Sequence, residues 1–142
     1  MDEPWIQAVA RDLDVDPRVD AAWLFGSKAL GHDLPESDTD IAILLSDAVP
    51  ESERLRVQLE LLGLISPPHD GSRLDVAILN DATPTLAVEV LEHGRKIFAR
   101  SEQRARNFVV SAFRTYWDMA PIRALIAQAQ DRRIGEGRFG AV

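Results

Sequence analysis

The sequence predicts an α/β domain with helical flanks, and three observations lead to that fold class. Short apolar runs alternate along the chain with segments in which apolar residues recur at helical spacing. Turn clusters containing Gly and Pro separate many of these segments. The chain has 142 residues, with no internal repeat and no low-complexity linker, which is the length of one ordinary domain.

The first half of the chain predicts two helices and two strands. Residues 3–13 have apolar side chains at helical spacing and predict an amphipathic first helix. The runs at 19–25 (VDAAWLF) and 40–45 (DIAILL) predict strands, and the second is apolar on both faces, as expected for a strand covered on both sides. In residues 51–64, Leu55, Leu59 and Leu62 follow at four- and three-residue steps and predict a helix that ends near Gly63.

The second half predicts two further strands and three helical segments. Residues 73–80 (RLDVAILN) and 95–99 (RKIFA) predict strands. Thr83-Pro84 has the pattern of an N-cap followed by Pro at the first helical position, and Gly94 ends the helix that follows. Residues 101–130 are helical in pattern, with a break expected before Pro121. We therefore expect a core at 1–100, a helical extension at 101–133 and a flexible Gly-rich tail at 134–142.

Composition excludes several classes of protein. The chain has no cysteine, so neither disulfides nor thiolate metal sites are expected. No apolar run reaches about 18 residues and the N-terminus is acidic, so we expect no membrane span, no signal peptide and a cytoplasmic location. The net charge of −7 opposes binding to nucleic acid and would suit a basic protein partner or divalent cations.

Two carboxylates lie at the start of the second predicted strand. Asp38 and Asp40 are two residues apart, so a strand projects them to the same face. Two such charges 4 Å apart repel by about 4 kcal/mol at an effective dielectric of 20. A divalent cation with oxygen ligands would offset that cost, and protonation of one carboxyl is the alternative.

A third carboxylate occurs in a segment of matching sequence. Asp75 precedes Val-Ala-Ile-Leu in the third strand, as Asp40 precedes Ile-Ala-Ile-Leu in the second. If these strands are neighbours, Asp75 lies beside Asp38 and Asp40 and completes a three-carboxylate metal site. Two metals about 3.5–4 Å apart could then act on both oxygens of an in-line displacement at phosphorus.

Gly26 and Ser27 follow the first strand and suggest a phosphate contact. Glycine permits a sharp turn and a close approach, while Ser27 offers a hydroxyl and a backbone N–H to an anion. Taken singly, Gly-Ser is a common turn dipeptide and an aspartate before a strand is often a turn residue. The joint pattern is more specific, and it predicts a nucleotide bound with magnesium.

At these residues the chain resembles the polymerase-β-like nucleotidyltransferase superfamily, and within it the minimal nucleotidyltransferase (MNT) antitoxins. That family is marked by Gly-Ser, ten residues and Asp-x-Asp, which are Gly26, Ser27, Asp38 and Asp40 here. The resemblance extends over most of the chain, including the strand of Asp75. It implies the polymerase-β-like fold, with a small mixed sheet flanked by helices and a C-terminal helical segment.

The resemblance also implies an activity and roles for particular residues. Asp38 and Asp40 would ligate two Mg²⁺ ions, and Asp75 would share a metal and help deprotonate the acceptor hydroxyl. Gly26, Ser27 and Lys28 would hold the phosphates of ATP. The implied reaction transfers AMP to a tyrosine of a cognate HEPN-type ribonuclease toxin, with which the chain could form a hetero-oligomer.

One position departs from the pattern of the family. Relatives often have Gly-Ser-Arg-Ala-Arg-Gly where this chain has GSKALG. Lys28 keeps a positive charge, whereas Leu30 replaces the second arginine. Lysine offers a point charge rather than a bidentate donor, so phosphate contact and the rate of transfer could both be lower.

Two other functions remain open at this point. A small-molecule transferase, such as an aminoglycoside nucleotidyltransferase, generally has a substantial second domain, and only about 40 residues follow the predicted core here. A non-catalytic antitoxin that neutralises its toxin by binding is the second alternative, in which the aspartates would be a relic or a structural metal site.

The aromatic residues have simpler interpretations. We expect Trp5, Trp23 and Trp117 to pack in or near the core. Phe113, Tyr116 and Trp117 could instead face a protein partner, because aromatic residues are enriched at interfaces.

Overall fold

The computed structural model describes residues 3–26 and 38–135, with side chains described up to residue 132. Ser27, Lys28 and Leu30 therefore lie outside the described residues, as does the expected tail after residue 135. The helices are α1 (Glu3–Asp14), α2 (Arg54–Leu64), α3 (Pro84–His93), α4 (Glu102–Asp118) and α5 (Ala120–Gly135). The strands are β1 (Val19–Phe25), β2 (Thr39–Leu45), β3 (Leu74–Ile78) and β4 (Arg95–Ala99).

The four strands form one mixed sheet in the order β3-β2-β1-β4. β1 is antiparallel to both β2 and β4, whereas β2 and β3 are parallel. This confirms the predicted small mixed sheet, and it makes the strand of Asp75 an immediate neighbour of the strand of Asp40.

Helices cover both faces of the sheet, which explains why β2 is apolar on both sides. One buried cluster joins α1 and α2 to the sheet, with Trp5, Leu13, Ile41 and Leu61 among its members. The second cluster lies on the opposite face, where side chains of α3 and α4 pack against Trp23 and Leu44. The α3/α4 face of the sheet therefore includes every second residue of β2, among them Asp40.

The predicted start of α3 and the predicted break in the C-terminal helical segment are confirmed. The Thr83 hydroxyl accepts a hydrogen bond from the Leu86 amide, so Thr83 is the N-cap of α3, and Pro84 is its first residue. α4 ends at Asp118 and α5 begins at Ala120, which is the break predicted before Pro121.

Two expectations require correction, and the buried side of α2 is a finding that the sequence did not specify. β3 ends at Ile78 rather than residue 80, because a 3-10 turn follows in which the Asn80 amide exchanges two hydrogen bonds with the backbone of Leu45. α2 turns Leu55 and Leu59 to solvent and buries Val57 and Leu61 instead. Trp5 and Trp23 are buried as expected, whereas Trp117 is 65% exposed and the expectation that it packs in the core is wrong.

Candidate functional site

The sheet register brings two of the predicted site residues together. In the parallel β2/β3 ladder Asp40 is paired with Asp75, so their Cα atoms lie on adjacent strands about 4.8 Å apart. Partners in a ladder project to the same face, and for this pair it is the face covered by α3 and α4. On its other side Asp40 is paired with Phe25, the last residue of β1.

Asp40 is a carboxylate whose charge is poorly compensated. Partial burial, followed by the negative charges of Asp75 and then Asp38, raises the pKa of Asp40 above its ordinary value. Desolvation and like charge both disfavour the ionised form, and no cation among the described residues offsets them at Asp40. A cation bound here would remove this penalty.

Asp38 has a cationic neighbour. Its carboxylate lies 3.6 Å from the guanidinium of Arg73, the residue that immediately precedes β3. The Arg73 carbonyl also accepts a hydrogen bond from the Thr39 amide, which fixes the backbone at the start of the ladder. Arg73 was missed in the sequence, because its proximity to Asp38 depends on the register between two strands.

Of the three carboxylates of the predicted metal site, the sheet pairs Asp40 with Asp75. Asp40 and Asp75 are adjacent, but within 3–26 and 38–135 no three acidic or histidine side chains are arranged to hold a metal ion. The oxygen donors still suit a hard divalent cation, and the raised pKa of Asp40 indicates a site that lacks positive charge.

Gly26 is required by its proximity to Asp40. It follows β1 with a φ of 84°, and a Cβ atom placed on it would lie 2.5 Å from the Asp40 Oδ2 atom. The missing side chain therefore makes room for the carboxylate. The expected phosphate contacts of Ser27 and Lys28 cannot be placed, since both residues lie outside the described part of the chain.

Asp40 and Asp75 open into a cleft of about 380 Å³. Its wall includes Phe25 from β1, Gln58 from α2 and Leu86 from α3. The Gln58 side-chain amide donates a hydrogen bond to the Val76 carbonyl, which ties α2 to the edge strand of the sheet. Neither Gln58 nor Leu86 has a signal in the sequence, because their positions depend on how the helices pack.

A mixed sheet with adjacent aspartates on one face, beside a glycine turn, is the arrangement of a nucleotidyltransferase. Comparison with family models agrees, since the model described as Polymerase beta, Nucleotidyltransferase matches residues 7–103. The chain belongs to that family.

Solved structures are similar to the chain along almost its whole length. One is a toxin–antitoxin with AMP-PNP, with 25% identity and a TM-score of 0.66, covering 91% of this chain and 98% of that chain. A second is the toxin–antitoxin MntA-HpeT with a tyrosine replaced by alanine, with 25% identity, a TM-score of 0.64 and the same coverage.

A third solved structure is more distant in sequence. It is a tri-AMPylated Shewanella oneidensis HEPN toxin in complex with MNT antitoxin, with 22% identity, a TM-score of 0.64 and coverage of 91% and 98%. At that identity the likeness shows the fold alone. Comparison with curated proteins finds no match, and no helix within the described residues is long and apolar enough to cross a membrane.

Proposed function

We propose that this chain is a cytoplasmic antitoxin that transfers AMP from ATP to a tyrosine of a cognate HEPN-type toxin and so inactivates it. The observation that carries the proposal is the pairing of Asp40 with Asp75 in a chain that covers 98% of a solved toxin–antitoxin chain with AMP-PNP. A protein acceptor is favoured because the solved toxin–antitoxin with AMP-PNP is similar to this chain over 91% of its length.

The residues of this chain would have distinct roles in that transfer. The tyrosine oxygen would attack the α-phosphorus of ATP, a new P–O bond would form, and the bond to pyrophosphate would break. Asp75 is exposed, so an acceptor hydroxyl could reach it and give up its proton there. Asp40, in the cleft beside it, and Asp38 would bind two Mg²⁺ ions. These ions, when bound, would neutralise the aspartates and the charge on the phosphates.

Phosphate binding is proposed for the turn after β1. Gly26 would allow the triphosphate to approach the backbone, and Ser27 and Lys28 would supply a hydroxyl and a positive charge. Because Leu30 stands where relatives often have arginine, we propose that Arg73 compensates in part. Its guanidinium already lies within 3.6 Å of a site carboxylate.

The test is the intact mass of a HEPN-type protein from the same genome after incubation with this chain, ATP and Mg²⁺. We expect a gain of one or more AMP units, and no gain with Asp40→Asn or when the metal is chelated. The exposed variant Glu89→Gln on α3 is the control, because it removes one negative charge outside the cleft. A tight complex with unchanged mass would instead identify an antitoxin that acts by binding alone.

A further inference from the structure

A second cleft lies on the same sheet face as the aspartates, between α3, α4 and β4. It has a volume of about 390 Å³, and its lining includes Trp23, Leu91, Lys96, Arg106 and Val110. Apolar surface and two cationic side chains thus share one concavity. Trp23 lies two residues before Phe25 on β1, so the two clefts are separated by about 7 Å along that strand.

The exposed side of α4 continues this cleft. Arg106, Val110, Arg114 and Trp117 follow at steps of four, four and three residues, so they lie along one side of the helix. Val110 is 55% exposed and Trp117 is 65% exposed. We call Lys96, Arg106, Val110, Arg114 and Trp117 the α4 face. Tryptophan and arginine are the residues most enriched among those that dominate binding at protein interfaces.

Acidic and basic residues are distributed unevenly along the chain. Residues 1–101 contain 19 acidic and 9 basic residues, whereas residues 102–142 contain 4 acidic and 7 arginine residues. The net charge of −7 therefore conceals a basic C-terminal part. Lys96 is paired with the Glu102 carboxylate, whereas no ion pair of Arg106 or Arg114 is found within the described residues, so these two arginines of the α4 face would attract carboxylates.

We propose that the α4 face and its cleft dock the acceptor protein, through a carboxylate-rich surface with an apolar side chain that enters the cleft. This inference rests on the proposed function and adds where the acceptor binds. The docked protein would lie on the side of the sheet that presents Asp40 and Asp75, so a segment crossing α3 could bring its hydroxyl to the transfer site.

The test compares two variants on the α4 face with two matched controls on the opposite face of the sheet. Val110→Asp is matched by Leu59→Asp on α2, since both residues are exposed apolar side chains within a helix, at 55% and 61%. Arg114→Glu is matched by Arg11→Glu on α1, since both are exposed arginines. The readouts are affinity for the HEPN-type protein, affinity for a fluorescent ATP analogue, and AMP transfer.

We expect each α4 variant to weaken binding of the HEPN-type protein about tenfold, while ATP-analogue binding and the controls stay at wild-type values. If all four variants bind like wild type while AMP transfer persists, the docking surface is wrong and the proposed function stands. If wild type binds the HEPN-type protein without transferring AMP, and the α4 variants do not bind it, the docking surface is correct and the proposed transfer is wrong. A wild-type homodimer that Val110→Asp dissociates would show that the face binds a second copy, and that would overturn the proposal.

Discussion

At the scale of single residues, the ionisation of Asp40 affects the stability of the folded chain. Burial, and then Asp75 and Asp38, raise the pKa of Asp40, so its carboxyl binds a proton more tightly in the folded chain than in the unfolded chain. The free energy of unfolding should then fall as the pH rises from the unfolded pKa, about 4, through the folded pKa. Asp40 therefore destabilises the metal-free protein at neutral pH.

The corresponding prediction concerns Asp40→Asn without metal. We expect a melting temperature a few degrees above wild type at pH 7, with the difference disappearing below about pH 4, where both chains are neutral at this position. Thermal denaturation across that pH range measures it, with Glu89→Gln as the control for loss of one exposed charge. A lower melting temperature for Asp40→Asn at pH 7 would contradict the conclusion that the ionised Asp40 carboxylate destabilises the metal-free protein.

Gly26 offers a separate test of the space around Asp40. Gly26 and Gly71 both have positive φ, 84° and 79°, but an added Cβ meets the Asp40 carboxylate at Gly26 and nothing within 4 Å at Gly71. Both alanine variants should lose about 1 kcal/mol of stability from the backbone alone. Only Gly26→Ala should also weaken Mn²⁺ binding, measured by calorimetry. Equal metal affinities would show that the close approach to Asp40 is not needed.

Arg73 is expected to compete with metal ions for Asp38. The pair is open to solvent, with side chains 77% and 41% exposed, so its interaction is weak. We expect Arg73→Ala to bind Mn²⁺ about two- to fivefold more tightly, and the ATP analogue more weakly because a phosphate donor is lost. Arg11→Ala, on the other face of the sheet, should change neither. A parallel loss of both affinities would show that Arg73 supports the fold of the site rather than competing at it.

At the scale of the element, the sequence predicted which segments form helices and strands, but it did not specify which side of α2 is buried. The repeated Asp-aliphatic-Ala-Ile-Leu pattern suggested two strands in the same environment, and the register shows that these strands are neighbours, with Asp40 paired with Asp75. In α2, however, apolar residues occur on both sides of the helix, and the leucine spacing fits either side. Packing against the sheet selected Val57 and Leu61, a choice that depends on tertiary contacts.

The two sides of α2 should respond differently to substitution. Leu61 is completely buried in the first core cluster, whereas Leu59 is 61% exposed. Leu61→Ala should lower the free energy of unfolding by about 2–5 kcal/mol through lost burial and a cavity. Leu59→Ala should change it by less than about 0.5 kcal/mol, because the site is open to solvent. Chemical denaturation of the two variants decides between the sides, and similar losses would mean that Leu59 is buried in solution.

At the scale of the whole molecule, the two C-terminal helices contribute very differently. α4 buries Ala105 and packs Phe108 and Val109 against the second core cluster, so it completes one face of the sheet. In α5 no side chain described is buried, and Ile122, Leu125 and Ile126 are all more than half exposed. The Arg123 side chain of α5 lies over the Tyr116 ring of α4. Because most of the stability of a helix in a protein comes from packing of a buried face, α5 takes little part in holding the sheet together.

Two truncations should therefore distinguish the contribution of α4 to stability from that of α5. A chain ending at Asp118 lacks α5 but keeps α4, and we expect it to melt cooperatively within a few degrees of wild type and to bind the ATP analogue normally. A chain ending at Arg100 also lacks α4, which uncovers Trp23 and Leu44 on the α3/α4 face, and it should aggregate or lose cooperative unfolding. Calorimetric melting and size-exclusion chromatography measure both. If removal of α5 alone abolished cooperative unfolding, the apolar side chains of α5 would have to pack against the sheet domain, and α4 could not present a free docking face.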